Sequence, residues 1–287
     1  MPDLVSPRNP TDLTRMQAIL SAAIRDDSPR YVIHPGDLAW WAYHSDPLAD
    51  EQVSYWLDGD QGFAVLFSDH NEVAAFCAPG QSPLPLIEWG REQLGPNAKV
   101  VCVSSADHAL ESELKEKGYE VAGVDGPIFI HDLTNEDVSP IPPSGLTLRS
   151  LRGEEEADAR RQASHAAFKS TMDPAEHLER YLRLMRSPVY NADRDLVAVT
   201  TDGTVAAFMI WWPDTSGIAE IEPMGTDPAF HRTGVGRALM NYGFSKMREA
   251  GMTRVRVITD DYRSDAIGFY SAVGFTQTAE LRFWKRP

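Results

Sequence analysis

The sequence predicts an α+β chain (α/β, three-layer) made of two similarly ordered halves, and three observations carry that prediction. Its 287 residues are about twice the ~150 of a typical domain. A stiff proline-rich spacer, TNEDVSPIPPSG, runs from Thr134 to Gly145 near the middle. Each side of the spacer reads as a similar succession of helix, hairpin and closing helix–strand passage. ESELKEKGYEVAG before it is echoed by AIGFYSAVGFTQT after it. The pattern is that of a degenerate duplication with a period of roughly 140 residues.

Composition narrows the class. Apolar residues make up 43% and charged residues 24%, enough to bury a core. No unbroken apolar run approaches the ~18 residues of a membrane span. The start, MPDLVSPRNPTDLT, lacks a basic segment followed by an apolar one, so no secretory signal is expected. Two cysteines, Cys77 and Cys102, are too few for a disulfide framework or a four-thiolate zinc site. They are expected as free buried thiols of a cytoplasmic protein, with no metal. The net charge of −15 is concentrated in residues 1–144, with 8 basic and 23 acidic side chains; residues 145–287 carry 19 of each. That balance argues against nucleic acid as a partner, which needs basic surface. It leaves the second half able to hold an anion locally.

In the first half, residues 1–133, the periodicity predicts a helix over Asp12–Ile24 and an aromatic segment over Asp37–His44. A hairpin follows, Gly62–Phe67 and Glu72–Ala78, turning at Asp69–Asn71. Then come a helix Ile87–Leu94, a strand Lys99–Ser104, a helix Ala106–Lys117, and strands Tyr119–Asp125 and Pro127–Leu133. After the spacer, residues 146–287 open on an alternating strand, Leu146–Leu151. Helices are expected over Gly153–Ser170 and Pro174–Arg186; in the second, Leu178, Tyr181, Leu182 and Met185 recur at helical spacing. Asp202-Gly203 is a strong turn signal between strands Leu196–Thr200 and Thr204–Trp212. A strand Ala219–Thr226, a helix ending at Gly251, a strand Arg254–Thr259, a helix Ser264–Ala272 and a closing pair of strands within Phe275–Trp284 complete the series.

Chemistry concentrates in Glu220–Leu239, EIEPMGTDPAFHRTGVGRAL. A strand ends at an Asp227-Pro228 turn, and His231-Arg232-Thr233-Gly234-Val235-Gly236 leads straight into a helix. Glycines at 234 and 236 remove the Cβ atoms that would keep a ligand off the backbone. The first N–H groups of that helix have no intrahelical acceptor, and its dipole places positive charge there, so a pyrophosphate is the natural occupant. Arg232 and Arg237 add charge at the rim. There is no G-x-x-x-x-G-K-[ST], and no third glycine or acidic residue placed for a dinucleotide ribose.

On these residues the second half resembles the GCN5-related N-acetyltransferase (GNAT) superfamily, whose hallmark is Gln/Arg-x-x-Gly-x-Gly/Ala opening its third helix. Ala266–Phe275, AIGFYSAVGF, is similar to the family's A-I-x-x-Y-x-x-x-G-F. The whole chain resembles a tandem GNAT protein, an arrangement also seen in mycothiol synthase. Two positions depart from the family pattern. His231 stands where the family has Gln or Arg, a smaller donor. Arg263 replaces the asparagine that often precedes the second motif, where it reaches a phosphate or sits in solvent. The first half has no counterpart of the phosphate motif, so it is expected to be a degenerate GNAT-like domain that does not use acyl-CoA in the family's manner.

The resemblance implies two GNAT-like domains, each a mixed, mostly antiparallel sheet flanked by helices, and an acetyl-CoA-dependent transfer of an acetyl group to a primary amine of a small molecule. The alternatives are a protein or peptide acceptor and a non-catalytic acyl-CoA sensor. It also implies that Met224, Gly225 and Thr226 pair with the pantetheine arm, and that His231, Arg232, Thr233, Gly234, Val235, Gly236 and Arg237 surround the diphosphate. Glu220 and Glu222, spaced to share one face of a regular strand, are the candidates for the general base, with Glu222 favoured as nearer the thioester. Pro223 between them has no N–H and could introduce a bulge that turns one away. Tyr270 stands at the position of the acid that protonates the departing sulfur. The acceptor pocket is expected near His165–Tyr190, with Phe168 and Met172 as wall residues beside His165 and Tyr181. Of Trp211 and Trp212, on opposite faces of one strand, one is expected in the core and one at the cleft; Trp211 is the candidate carried forward. The expected partners are a small amine and, for the chain itself, a monomer or homodimer.

Overall fold

Residue alternation and helical spacing become twelve strands and eight α-helices among the described residues of a computed structural model, which describes residues 1–25, 32–44, 52–134, 140–260 and 262–286. Residues 135–139 of the expected spacer lie outside the described residues. Contacts divide the chain into two units, each described by itself. One holds Met1–Ile130, Asp214–Ser216 and Val257–Pro287; the other holds His131–Pro213 and Gly217–Arg256.

The first unit begins with β1 (Asp3–Val5), α1 (Pro10–Arg25) and α2 (Pro35–His44). An antiparallel meander of β2 (Val53–Asp58), β3 (Gly62–Phe67) and β4 (Glu72–Cys77) follows. β1 and β2 are not among the expected strands, although Asp58-Gly59 marks the turn from β2 into β3; β1 is three residues long and exists by pairing with Tyr55–Leu57. Next come α3 (Leu84–Leu94), β5 (Lys99–Ser104), α4 (His108–Glu116) and β6 (Glu120–Asp132). The expected break at Asp125–Pro127 is absent: β6 is one thirteen-residue strand. Gly126 lets it pass, since a Cβ there would stand 1.9 Å from the Thr259 carbonyl oxygen.

The chain's last strand, β12 (Thr276–Lys285), follows α8 (Ser264–Ala272) and is likewise single rather than a pair. It lies antiparallel between β5 and β6, opposing Leu281 to Ser104 on one side and Thr276 to Ile130 on the other. The domain division expected from sequence, 1–133 and 146–287, therefore differs from the contact division. The reason is apolar burial: Trp284, 0% exposed, joins Leu66, Val73, Ile87, Val100, Val103, Leu110, Leu114 and Tyr119 in one core. The end of the chain is held there by Arg286, whose Nη2 donates to Glu88 Oε1 at 3.0 Å. Cys77 is buried and Cys102 half-buried, both as thiols.

The second unit contains β7 (Leu146–Ser150), α5 (Ala157–Ala167), α6 (Pro174–Met185), β8 (Asp195–Thr200), β9 (Val205–Pro213), β10 (Ile218–Thr226), α7 (Val235–Glu249) and the start of β11 (Arg254–Ile258). α6 starts where its sequence says it should: Asp173 accepts from the N–H groups of Ala175 and Glu176, and Pro174 occupies the first turn. The strand order is β11-β10-β9-β8-β7. β4–β5 and β10–β11 pair in parallel. β8 and β9 are buried along nearly their whole length. α7 packs closely enough that a Cβ at Gly243 would meet Met209 Sδ at 2.7 Å. No helix among the described residues is long and apolar enough to cross a membrane.

Candidate active site

β10 is where the two expected glutamates part company. Its parallel register with β11 runs from Ile218↔Arg254 to Glu220↔Arg256, while β10 itself continues to Thr226. On its other side it opposes Glu220 to Trp212 and Ile221 to Trp211, then resumes at Met224↔Met209 with one extra residue on β10. That bulge surrounds Pro223, which has no N–H for the ladder; the Glu222–Pro223 peptide is cis. The two side chains therefore do not share the alternation of a regular strand. Glu220 is 2% exposed, and its Oε2 accepts from Arg256 Nη1 at 2.8 Å, the guanidinium itself being fully buried. Glu222 is half-buried, and its carbonyl accepts from Trp212 Nε1 at 2.7 Å. The indole thus fastens the bulge to β9.

Beyond β10 the chain makes the turn its sequence announces. Asp227 Oδ1 accepts from the Ala229 N–H at 2.8 Å, and Thr233 Oγ1 donates to the Phe230 carbonyl at 2.7 Å. His231 Nε2 donates to the Thr226 carbonyl at 3.1 Å, so the imidazole is engaged within its own loop. Arg232 (φ 64°) and Gly234 (φ 88°) both take left-handed backbone. For the arginine this is an uncommon conformation, of the kind that collects at ligand-holding loops. A Cβ at Gly234 would meet nothing within 4 Å, and no side chain caps α7. The first recorded helical bond runs from the Ala238 N–H to the Gly234 carbonyl. The N–H groups of Val235, Gly236 and Arg237 thus head a fifteen-residue helix, beside exposed His231, Arg232, Thr233 and Gly234. These residues fit an anionic diphosphate: open donors, a helix dipole and no competing carboxylate cap.

On the α5–α6 side, Phe168 is 38% exposed, and its ring meets Phe208 edge-on at 5.9 Å. Met172 is half-buried in the following turn, its N–H bonded to Ser170 Oγ at 3.2 Å. Trp211 is 4% exposed beneath the Arg194 guanidinium, which lies 5.6 Å from its ring; Trp212 is equally buried. Neither tryptophan presents its ring to solvent, so the expectation that Trp211 lines a cleft is not met. Tyr270 belongs to the other contact unit and is 7% exposed, packed against Phe129, Phe269 and Phe275 at 5.5–6.0 Å between ring centres.

Two clusters were only partly legible in the sequence: His165 and Tyr181 are among the expected pocket residues, but their partners are not. Buried Asp195 accepts from the Tyr181 hydroxyl and, at 3.1 Å, from the Tyr190 hydroxyl, and lies 3.5 Å from Arg160 Nε. Burial pushes the Asp195 carboxyl and both phenols upward in pKa. His177 Nδ1 lies 3.5 Å from His165 Nδ1. Burial first, then the neighbouring His165, Arg161, Arg160 and Arg180, lowers the His177 pKa to about 4. The available signal was charge inside apolar surroundings: Asp195 opens D-L-V-A-V-T and Arg256 interrupts R-V-R-V-I. Among the described residues no group of three or more His, Cys, Asp or Glu could hold a metal ion.

Comparison with known proteins bears on this geometry. Residues 160–275 match the family model described as "Acetyltransferase (GNAT) family". A mycothiol acetyltransferase from Salinispora arenicola is 30% identical over 150 residues, covering 48% of each chain. The matched stretch thus spans about half the length of that relative. In fold, the chain is similar over 99% of its length to a tandem GNAT protein from the clavulanic acid biosynthesis pathway, with TM-score 0.64, 15% identity and 97% of that chain covered. It is similar over its whole length to a GCN5-related N-acetyltransferase from Sphaerobacter thermophilus, with TM-score 0.60, 18% identity and 96% of that chain covered.

Proposed function

We propose that the chain, similar to the GNAT family over residues 160–275 and to a tandem GNAT protein in fold, transfers an acetyl group from acetyl-CoA to a primary amine of a small molecule. The observation that carries this reading is the uncapped, glycine-entered N-terminus of α7 immediately beyond the open stretch of β10. Acetyl-CoA supplies an activated thioester. In this reading Val235, Gly236 and Arg237 donate main-chain N–H groups to its diphosphate, Arg232 and Arg237 add charge, and the Met224–Thr226 backbone offers strand-like pairing to its arm. His231, with its ring turned to Thr226, contributes through its position in the loop.

Glu222 is the proposed base. Glu220 is bound to a buried guanidinium, and a carboxylate so paired is a weak proton acceptor. Glu222 takes the proton that makes the amine nucleophilic. Tyr270 is nominated as the leaving group's acid by its place in the A-I-x-x-Y motif alone. Phe168 and Met172 are the proposed acceptor wall, and the buried Trp212 ties its indole N–H to the Glu222 carbonyl.

The test is release of free thiol from acetyl-CoA across an amine library, with calorimetric binding of acetyl-CoA measured in parallel. Turnover with one class of small amines is expected. Tight binding without turnover on any amine or peptide would replace the enzyme reading with a sensor. Tyr270→Phe is expected to lower kcat by about tenfold or more while leaving acetyl-CoA affinity unchanged; unchanged kcat removes Tyr270 from the mechanism.

A further inference from the structure

Gly225 sits in the stretch of β10 assigned above to the coenzyme's arm, and it has no room for a side chain. A Cβ there would stand 2.5 Å from Phe208 Cζ, 2.9 Å from Phe208 Cε1 and 2.9 Å from Ala167 Cβ. Phe208 is its cross-strand partner on β9 and is 0% exposed. The ring is blocked by a cation: the Arg160 guanidinium lies 3.7 Å from its centre, with the Tyr181 ring also within 5.1 Å of that guanidinium. Arg160 is fixed in turn by Asp195, and Asp195 by the hydroxyls of Tyr181 and Tyr190. The sequence of contacts runs without a gap from α6 and β8, through α5, to the backbone of β10.

We infer that Phe208, held in place by Arg160, is a positioning residue that sets where the Met224–Thr226 backbone stands and therefore how well acetyl-CoA docks; the inference rests on the function proposed above. Close packing makes the position stiff. A strand pressed against an aromatic tip that cannot retreat has one place to lie. The same contact explains why position 225 is glycine although its φ is not left-handed: space, not backbone conformation, demands it.

The experiment measures acetyl-CoA affinity by titration calorimetry, with thermal melting alongside, for the unaltered chain, Gly225→Ala, Phe208→Leu and the two combined. Gly225→Ala is expected to raise Kd about tenfold or more, because the new methyl pushes β10 off Phe208. Leucine lacks the ring atoms that the methyl would strike, so the combined variant should bind about threefold better than Gly225→Ala alone. Recovery stays partial because Ala167 remains. Arg160→Met together with Asp195→Asn leaves no buried charge unbalanced and should weaken binding about threefold through loss of support at Phe208. A purely structural role would lower the melting temperature and leave Kd unchanged well below it. The inference is overturned if Gly225→Ala folds and binds as the unaltered chain does, or if the combined variant binds no better than the single one. Should Gly225→Ala not fold, an unaltered Kd in both Phe208→Leu and the Arg160/Asp195 pair overturns it. Failure of the unaltered chain to bind acetyl-CoA overturns the functional reading itself, and this inference with it.

Discussion

The helix that follows the parallel-splitting strand starts differently in the two units, although the strands before it are alike. β4 and β5 pair in parallel at Glu72↔Lys99 and Val73↔Val100, and β10 and β11 do so from Ile218 to Glu220. α3 then begins with fewer donors to offer. The Leu84 N–H goes to Ser82 Oγ at 3.2 Å, Pro85 has no N–H, and the Ser82 hydroxyl donates to the Glu113 carboxylate. α7 begins with Val235, Gly236 and Arg237, no side-chain cap and exposed loop residues before it. A scaffold can therefore be repeated while the proposed anion seat is not, because such a seat depends on a few backbone donors and on the sign of the nearest side chain. The acidic surplus of residues 1–144 points the same way.

That contrast can be attacked directly. Gly236→Asp places a carboxylate at the α7 donors and is expected to weaken acetyl-CoA binding about a hundredfold. Glu113→Gln, at the α3 start, should leave both affinity and turnover unchanged. Calorimetry reads both, and a shift with Glu113→Gln would show that the two helix starts are not as different as their donors suggest. The glutamates divide next. Glu222→Gln should lower kcat by about a hundredfold or more with little change in acetyl-CoA affinity. Glu220→Gln should instead destabilise the fold by about 3–5 kcal/mol, because it strands the Arg256 charge in the core. Urea unfolding of both variants separates a chemical from a structural carboxylate.

Trp284→Ala tests the capture of β12 by the first unit. Loss of a fully buried indole should cost about 3–5 kcal/mol, read as a lower unfolding midpoint. The smallest effect belongs to the second unit. His177 has an ordinary pKa of 6.5 lowered to about 4, so between those values the unfolded chain binds a proton that the folded chain refuses. Stability should fall as pH drops from 6.5 towards 4. His177→Asn should flatten that part of the melting-temperature profile, and an unchanged slope would show that other groups carry it.

The motif-bearing stretches announced themselves locally. Asp202-Gly203 turns between β8 and β9, and Asp173-Pro174 starts α6, because turn and cap chemistry needs only neighbouring residues. The α7 start was readable for the same reason: glycine spacing and a following helix are local facts. The roles of Glu220 and Glu222 were not separable from spacing. Their difference comes from a bulge at Pro223 and from Arg256, thirty-six residues away in the chain.

Amino-acid order alone was enough for the α+β class and the glycine-entered start of α7, since each follows from short-range periodicity, turn residues and backbone donors. Three-dimensional packing was needed for the rest: the enclosure of Trp284 and β12 in the first unit, the pairing of Glu220 with Arg256, and the pressure of Phe208 on Gly225. Those outcomes come from burying apolar area and neutralising buried charge between residues distant along the chain, and no local pattern encodes which distant residue answers.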